Sequence, residues 1–147
     1  TRMTFLIIEI SQMRGWKSLA DHKRELMQYR LQTAKERLSA AKSLLQEKCY
    51  KDSVNRSYYA MFTAIRAILA LDGQDFSKHA GVISYFQREY VKTGKFDKKY
   101  SNYISQAFQI RNNADYADFF LVSEHDAQEQ CERAAELITE IEKYVNT

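Results

Sequence analysis

The residues with the most specific chemical potential lie at positions 111–116, which read Arg-Asn-Asn-Ala-Asp-Tyr. From Tyr100 onward, apolar residues recur at helical spacing, and Arg111 falls on the same stripe of the predicted helix. A guanidinium group on a core-facing stripe is costly unless an acceptor, a partner subunit or an anionic ligand satisfies it. Asp115, one helical turn later, is a candidate partner, and Tyr116 follows at the expected helix end. The segment therefore indicates either an anion-binding site or a polar contact that locks two helices together.

Three further polar residues are candidates to line the same cleft. Asn55 and Arg56 interrupt an otherwise apolar helix, where polar side chains are often presented at a groove or interface, and Asn112 adjoins Arg111. His79 could reach Arg111 through folding or dimerisation and serve as a base, an alternative that spacing along the chain leaves open.

The sequence gives no support to several common classes of site. It contains no glycine-rich phosphate loop, HExxH metal motif, paired-cysteine zinc motif or GxSxG nucleophile elbow. Cys49 and Cys131 lie far apart, without a second ligand at metal-binding spacing, so we expect both to be reduced thiols. We therefore expect neither a metal nor another cofactor.

The composition predicts an all-α fold, an up-and-down antiparallel bundle of about five helices. Proline is absent and only 4 glycines occur among 147 residues, so little interrupts a helix. Hydrophobic periodicity places helices at about 18–47, 51–71, from Ser77 to a stop at Gly94, from Asp97 to about 116, and from Ser123 to about 145. The second of these is apolar nearly all round and is the expected central helix.

Residues 1–17 differ from the helical part in composition. The segment 5–10 is β-prone, so this extension is expected to be a short strand, a dimer-pairing arm or disordered. The apolar run is too short for a transmembrane span, and Glu9 interrupts it. We expect residues 18–147 to form one cytoplasmic domain, and the net charge of +3 permits RNA binding without demonstrating it.

Four separated motifs agree in order and spacing with a known family. They are residues 55–62 (Asn-Arg-Ser-Tyr-Tyr-Ala-Met-Phe), His79, residues 90–95 (Tyr-Val-Lys-Thr-Gly-Lys) and residues 111–116. Together they resemble the HEPN domain family, most closely its small stand-alone prokaryotic members, over roughly residues 27–145. The resemblance implies a homodimer of helical bundles in which an arginine and a histidine, separated by four residues, line a cleft between subunits. In ribonuclease members this pair cleaves RNA without metal, the arginine holding phosphate and the histidine assisting 2′-hydroxyl chemistry.

The resemblance assigns roles to Arg111 and Tyr116, and the roles of the other candidates rest on their places along the predicted helices. Arg111 matches the arginine, Asp115 would orient it, and Tyr116 occupies the usual histidine position. A phenol, with an ordinary pKa of about 10, transfers protons poorly at neutral pH. The resemblance therefore implies a ribonuclease activity that is weakened, altered or lost. Asn55, Arg56 and Asn112 would bind substrate.

Two functions follow from the resemblance as hypotheses. The first is a toxin of a prokaryotic toxin–antitoxin or defence system that binds RNA or a nucleotide and acts on RNA. The second is a non-catalytic module that binds a minimal nucleotidyltransferase partner and accepts AMP from it on Tyr116. The alternative for Tyr116 is a buried or interface tyrosine bonded to Asp115 or Arg111.

Overall fold

The computed structural model describes residues 18–147, which form an all-α bundle. In this part of the chain the helices are α1 (Leu19–Gln46), α2 (Tyr50–Leu71), α3 (His79–Phe86), α4 (Lys98–Tyr116) and α5 (Glu124–Val145), and a π-helical turn (Gln87–Val91) continues α3. The predicted all-α bundle of about five helices is thus confirmed for the described residues. The expectation for residues 1–17 lies outside them.

Polar side chains fix where three of the helices begin. The Ser18 hydroxyl accepts from the backbone N–H of Asp21, and the Asp21 carboxylate accepts from the Ser18 backbone, which completes a capping box. Asp97 caps α4 by accepting from the Lys99 N–H, and the Ser123 hydroxyl caps α5. These starts agree with the sequence prediction.

The predicted cap at Ser77 is wrong. The N-cap of α3 is Lys78, whose backbone is extended (φ −108°, ψ 142°) and whose side chain makes no capping hydrogen bond. Because the chain becomes helical only after Lys78, the Ser77 hydroxyl lies one residue too early to reach the N–H groups of the first turn.

The second helix is central, as its apolar composition predicts. It packs against α1, α3, α4 and α5. Its largest fully buried side chains are Tyr58, Met61, Ile65, Ile68 and Leu69. The short connection at residues 47–49 contains Lys48 in the left-handed region (φ 64°), and it turns the chain so that α1 lies along α2. Any functional residue on α2 is therefore positioned by contacts with four neighbouring helices.

Two tyrosines fasten α3 to the end of α2. The hydroxyls of Tyr85 and Tyr90 both donate to Oδ2 of Asp72, the residue that follows α2. Burial and the Asp72 contact raise the pKa of Tyr85 to about 12, so its hydroxyl keeps its proton at neutral pH. The π-helical turn shifts the register by one residue, with the Lys92 N–H donating to the Gln87 carbonyl at 2.8 Å. His79 is the first residue of α3.

Within residues 18–147, no helix combines the length and the apolar character needed to cross a membrane.

Candidate functional site

Arg111 lies near the end of α4, and its guanidinium group contacts three neighbours. Nη2 donates to the Tyr59 hydroxyl at 2.9 Å, and Nη1 donates to Oδ1 of Asn112 at 3.1 Å. Nε lies 3.1 Å from Oδ2 of Asp115, but its N–H is not aimed at that oxygen, so charge attraction rather than a hydrogen bond holds this pair. The Arg111 side chain is 16% exposed. Each terminal nitrogen carries two hydrogens and uses one on an acceptor among residues 18–147, which leaves one N–H on each for an anion.

Three tyrosine rings surround the Arg111 guanidinium. Its central carbon lies 5.8 Å from the ring centre of Tyr58, 5.3 Å from that of Tyr59 and 5.8 Å from that of Tyr116. These distances are typical of cation–π contacts, which stabilise a cation without consuming its N–H donors. The rings therefore contact the charge without using any of its N–H donors.

Asp115 is shared between α4 and α2. Its Oδ2 accepts a hydrogen bond from Nδ2 of Asn55 at 3.2 Å in addition to its contact with Arg111. A partly exposed ion pair of this kind contributes about 0–1 kcal/mol, so its value lies in orientation rather than stability. Asn55 acts on Arg111 through Asp115 and does not itself contact the guanidinium in the described structure.

His79 belongs to the same group of side chains. Its Nδ1 lies 2.9 Å from the Tyr58 hydroxyl, and its ring centre lies 4.2 Å from that of Phe62 and 6.0 Å from that of Tyr59. Burial lowers the pKa of His79 below its ordinary value, and the positive charges of Arg111 and Arg66 lower it further. Burial also raises the pKa of Tyr58, so its hydroxyl keeps its proton. Near pH 7 the site thus holds a neutral imidazole beside a cationic guanidinium.

We call this group the Arg111 cluster. Its members come from α2, from the start of α3 and from the end of α4, and they are Asn55, Tyr58, Tyr59, His79, Arg111, Asn112, Asp115 and Tyr116.

A small apolar cluster fixes the end of α4 that carries these residues. Ala114, Val54 and Ala127 are buried together, and Val122 packs against them. This contact joins α4, α2 and the start of α5, so the polar segment 111–116 is anchored by the buried Ala114 in its middle.

Two of the predicted site residues are exposed: Tyr116 lies at the edge of the Arg111 cluster, and Arg56 lies apart from it. Tyr116 is 75% exposed at the end of α4, so burial within the described bundle is wrong, while the alternative of an interface tyrosine stays a prediction. Arg56 is exposed and makes no contact with the cluster within residues 18–147. It follows Asn55 on α2, and one residue of an α-helix rotates the side chain by about 100°.

Sequence reasoning missed Tyr58 and Tyr59 as members of the site. The signal was present, because Tyr59 lies four residues after Asn55 and shares its face of α2. Both tyrosines contribute to the apolar face of a central helix, however, and that pattern by itself predicts core packing.

In the described part of the chain, no group of three or more His, Cys, Asp or Glu side chains is placed to hold a metal ion. The fold and the site thus define a small helical-bundle domain with an arginine-centred polar cluster at the end of its fourth helix. The model of the HEPN domain family matches residues 27–144, and the chain belongs to this family.

Several named proteins are similar in sequence to this chain. The chain is similar to a UPF0332 protein of Thermotoga maritima, with 34% identity over 125 residues, covering 85% of this chain and 95% of that protein. It is 40% identical over 93 residues to "Putative toxin MJ0605" of Methanocaldococcus jannaschii, covering 63% and 69% of the two chains. A second protein of that organism, "Putative toxin MJ0142", is 29% identical over 124 residues, covering 84% of each chain.

Proposed function

We propose that this chain is a HEPN toxin that acts on RNA and that Arg111 holds a backbone phosphate of the substrate. The observation that carries the proposal is the arrangement of the guanidinium, which is held by three intrachain contacts and keeps one N–H on each terminal nitrogen. Paired N–H groups of one guanidinium match two oxygens of a phosphate. The toxin names of two relatives support the same assignment.

Aromatic and cationic neighbours favour a nucleic-acid strand over an isolated phosphate. The exposed ring of Tyr116 lies beside Arg111 and offers a surface on which a base can stack. On another side of the cluster, the guanidinium carbon of Arg37 lies 5.6 Å from the Tyr59 ring centre and adds a second positive charge. A single strand can thus place one phosphate at Arg111 and a base on a neighbouring aromatic ring.

The binding experiment compares Arg111→Ala and Arg111→Lys with the wild type on a labelled single-stranded RNA. We expect Arg111→Ala to weaken binding at least tenfold, equivalent to about 1.4 kcal/mol, and to reduce the slope of log K against log salt by about 1. Lysine should rescue only part of the affinity, because it cannot make the paired contact.

Arg88→Ala is the matched control. Arg88 is an exposed arginine paired with Glu89, and it makes no contact with the Arg111 cluster in the described structure. We expect the RNA affinity of Arg88→Ala to stay within twofold of that of the wild type. Equal affinity of the wild type and Arg111→Ala would contradict the proposal. Equal cleavage of labelled RNA in EDTA by these two proteins would contradict the ribonuclease part.

A second candidate function is a module that binds a minimal nucleotidyltransferase and accepts AMP on Tyr116. The observation that favours it is the 75% exposure of Tyr116 beside the Arg111 cation, which could attract the phosphates of a nucleotide donor. Co-expression with a minimal nucleotidyltransferase, followed by peptide mass spectrometry, should find AMP on Tyr116. Tyr29, which is 72% exposed and lies on α1, is the internal control. An unmodified Tyr116, or equal labelling of Tyr29, would contradict this function.

We also propose that the protein is a homodimer. Phe119 and Leu121 in the α4–α5 loop are 98% and 86% exposed and adjoin the end of the site. Apolar side chains grouped in this way favour burial against another surface. The molar mass measured by light scattering should be that of two chains, and Phe119→Asp with Leu121→Asp should reduce it to one. A single-chain mass for the wild type would contradict the dimer.

A further inference from the structure

We propose that His79 is the base of the Arg111 cluster and removes the proton from the ribose 2′-hydroxyl during RNA cleavage. This inference rests on the proposed function, and it moves the proton-transfer role from Tyr116, five residues after the arginine, to the first residue of α3.

The geometry links His79 to Arg111 through one pair of tyrosines. The Tyr58 hydroxyl is 2.9 Å from Nδ1 of His79, while the ring of Tyr58 lies 5.8 Å from the guanidinium carbon. The Tyr59 hydroxyl accepts from Nη2 of Arg111, while its ring lies edge-on to His79 with 6.0 Å between ring centres. Each tyrosine thus contacts both groups, which places the imidazole and the phosphate-binding cation in one small region.

The Tyr58 contact is compatible with either imidazole tautomer, and our proposal uses the tautomer in which Nδ1 is the donor. When Nδ1 carries the hydrogen and donates it to the Tyr58 oxygen, Nε2 presents a lone pair. The same oxygen can still accept from Nδ1 after Nε2 has gained a proton. Tyr58 can therefore hold the ring in one orientation before and after proton transfer, as a positioning residue requires.

The charges around His79 favour the form that a base needs. The ionisable groups that face it are Tyr58, Tyr59 and Arg66 from α2 and Arg111 from α4. The two arginines oppose a further positive charge, and burial acts in the same direction, so the pKa of His79 is lowered. A base must be unprotonated at the start of the reaction. Because its pKa is lowered, the His79 imidazole is unprotonated near pH 7.

The carboxylate of the cluster and its exposed phenol are less suited to the role of base. Asp115 already contacts Arg111 and accepts from Asn55, so its charge is engaged in orienting the arginine. Tyr116 is mostly exposed to solvent, where a phenol transfers protons poorly at neutral pH.

The cleavage step that we propose is a transesterification. Nε2 of His79 accepts the 2′-hydroxyl proton as the 2′-oxygen forms a bond to the adjacent phosphorus, and Arg111 neutralises the charge on the non-bridging oxygens. The bond from phosphorus to the 5′-oxygen breaks, and that oxygen takes a proton from water. The products are a 2′,3′-cyclic phosphate and a 5′-hydroxyl end. The protonated imidazole then returns its proton to the hydroxide, which restores the starting state.

The test measures single-turnover cleavage of single-stranded RNA in EDTA by the wild type, His79→Gln and His79→Ala. We expect both variants to lose at least 100-fold in rate while their RNA affinity stays within about threefold. Added imidazole should restore part of the rate of His79→Ala, because a small base can enter the space that the side chain leaves. His125→Gln, an exposed histidine of α5, is the matched control and should retain the wild-type rate.

The pH profile separates catalysis from a structural role. In the wild type the rate should rise with pH, and the midpoint of this rise should lie below the ordinary histidine pKa of about 6.5. Arg66→Gln removes one of the two positive charges that face the imidazole and should move this rise to higher pH. A structural histidine would give a loss of affinity or stability, no rescue by imidazole, and no shift in the Arg66→Gln profile.

The outcomes distinguish the inference from the function on which it rests. If the wild type cleaves RNA, Arg111→Ala does not, and His79→Gln cleaves at the wild-type rate, the inference is wrong and the proposed function stands. Loss of cleavage in Tyr116→Phe with full cleavage in His79→Gln would return the role to Tyr116. If binding depends on Arg111 but no protein cleaves RNA, both His79 catalysis and the ribonuclease activity are overturned. If binding does not depend on Arg111, the proposed function itself fails.

Discussion

Nη2 of Arg111 donates a hydrogen bond to the Tyr59 hydroxyl at 2.9 Å, and this bond joins the end of α4 to the central helix. Tyr59 lies in the middle of α2, which packs against α1, α3, α4 and α5. The direction of the Arg111 side chain thus depends on α2, the helix that packs against all four other helices of the described bundle. A functional cation gains a fixed position in this way without losing all of its donors.

The first prediction concerns this bond. Tyr59→Phe keeps the ring but removes the acceptor, so we expect the free energy of unfolding to fall by about 1 kcal/mol and RNA affinity to fall several-fold. Urea unfolding and fluorescence anisotropy measure the two effects. Tyr29→Phe, which removes an exposed hydroxyl of α1, should change neither. An unchanged RNA affinity in Tyr59→Phe would show that this bond does not position Arg111 for binding.

The second prediction compares two serines that both precede helices. Ser123→Ala removes the hydroxyl that accepts from the Asp126 N–H at 3.0 Å, and it should lower the free energy of unfolding by about 0.5–2 kcal/mol. Ser77→Ala should lower it by less than about 0.5 kcal/mol, because Lys78 is the N-cap of α3 and Ser77 makes no cap. Equal losses in thermal or urea unfolding would show that Ser77 contributes as a cap after all.

The third prediction tests the central position of α2. Ile65 is fully buried, so Ile65→Ala leaves a cavity and should cost about 2–5 kcal/mol. Leu19→Ala makes a comparable truncation at an exposed position of α1 and should cost less than about 0.5 kcal/mol. Urea unfolding should therefore show a loss of free energy of unfolding that is several-fold larger in Ile65→Ala than in Leu19→Ala. Similar losses in the two variants would place Ile65 outside the core.

The fourth prediction is a dependence of stability on pH. The pKa of His79 is lower in the folded protein than in the unfolded chain, so below pH of about 6.5 the unfolded state binds more protons and the fold loses stability. The loss grows as the pH falls through the folded pKa and is complete below it. In His79→Gln the decrease between pH 7.5 and pH 5 should be smaller. Urea unfolding at several pH values measures it, and identical slopes would contradict the lowered pKa.

A carboxylate gives a separate effect at lower pH. The hydrogen bond from Lys99 lowers the pKa of Glu136 below its usual range. Its stabilising contribution is present above the unfolded pKa, near 4.3, and is lost as the pH falls through the folded value. The comparison of wild type with His79→Gln above pH 5 is therefore little affected by Glu136.

Much of the local structure was predictable from the sequence. The helix starts at Ser18, Asp97 and Ser123 rest on side-chain caps within three residues of each start, which is information carried by adjacent positions. The wrong prediction of a cap at Ser77 also rests on adjacent positions, because either Ser77 or Lys78 could precede the helix. The extended backbone of Lys78 makes that residue the N-cap of α3. The π-helical turn at Gln87–Val91 has no comparable sequence signal.

The sequence alone determined the helices, the central place of α2, the family likeness and the pairing of Arg111 with Asp115, since these depend on hydrophobic periodicity or on residues one turn apart. Only the tertiary structure decided that Tyr58 and Tyr59 contact both His79 and Arg111. It also decided that Tyr116 faces solvent and that Arg56 lies apart from the cluster. The physical reason is distance along the chain. His79 and Arg111 lie on different helices, and their approach depends on how α3 and α4 pack against α2, which no local pattern encodes.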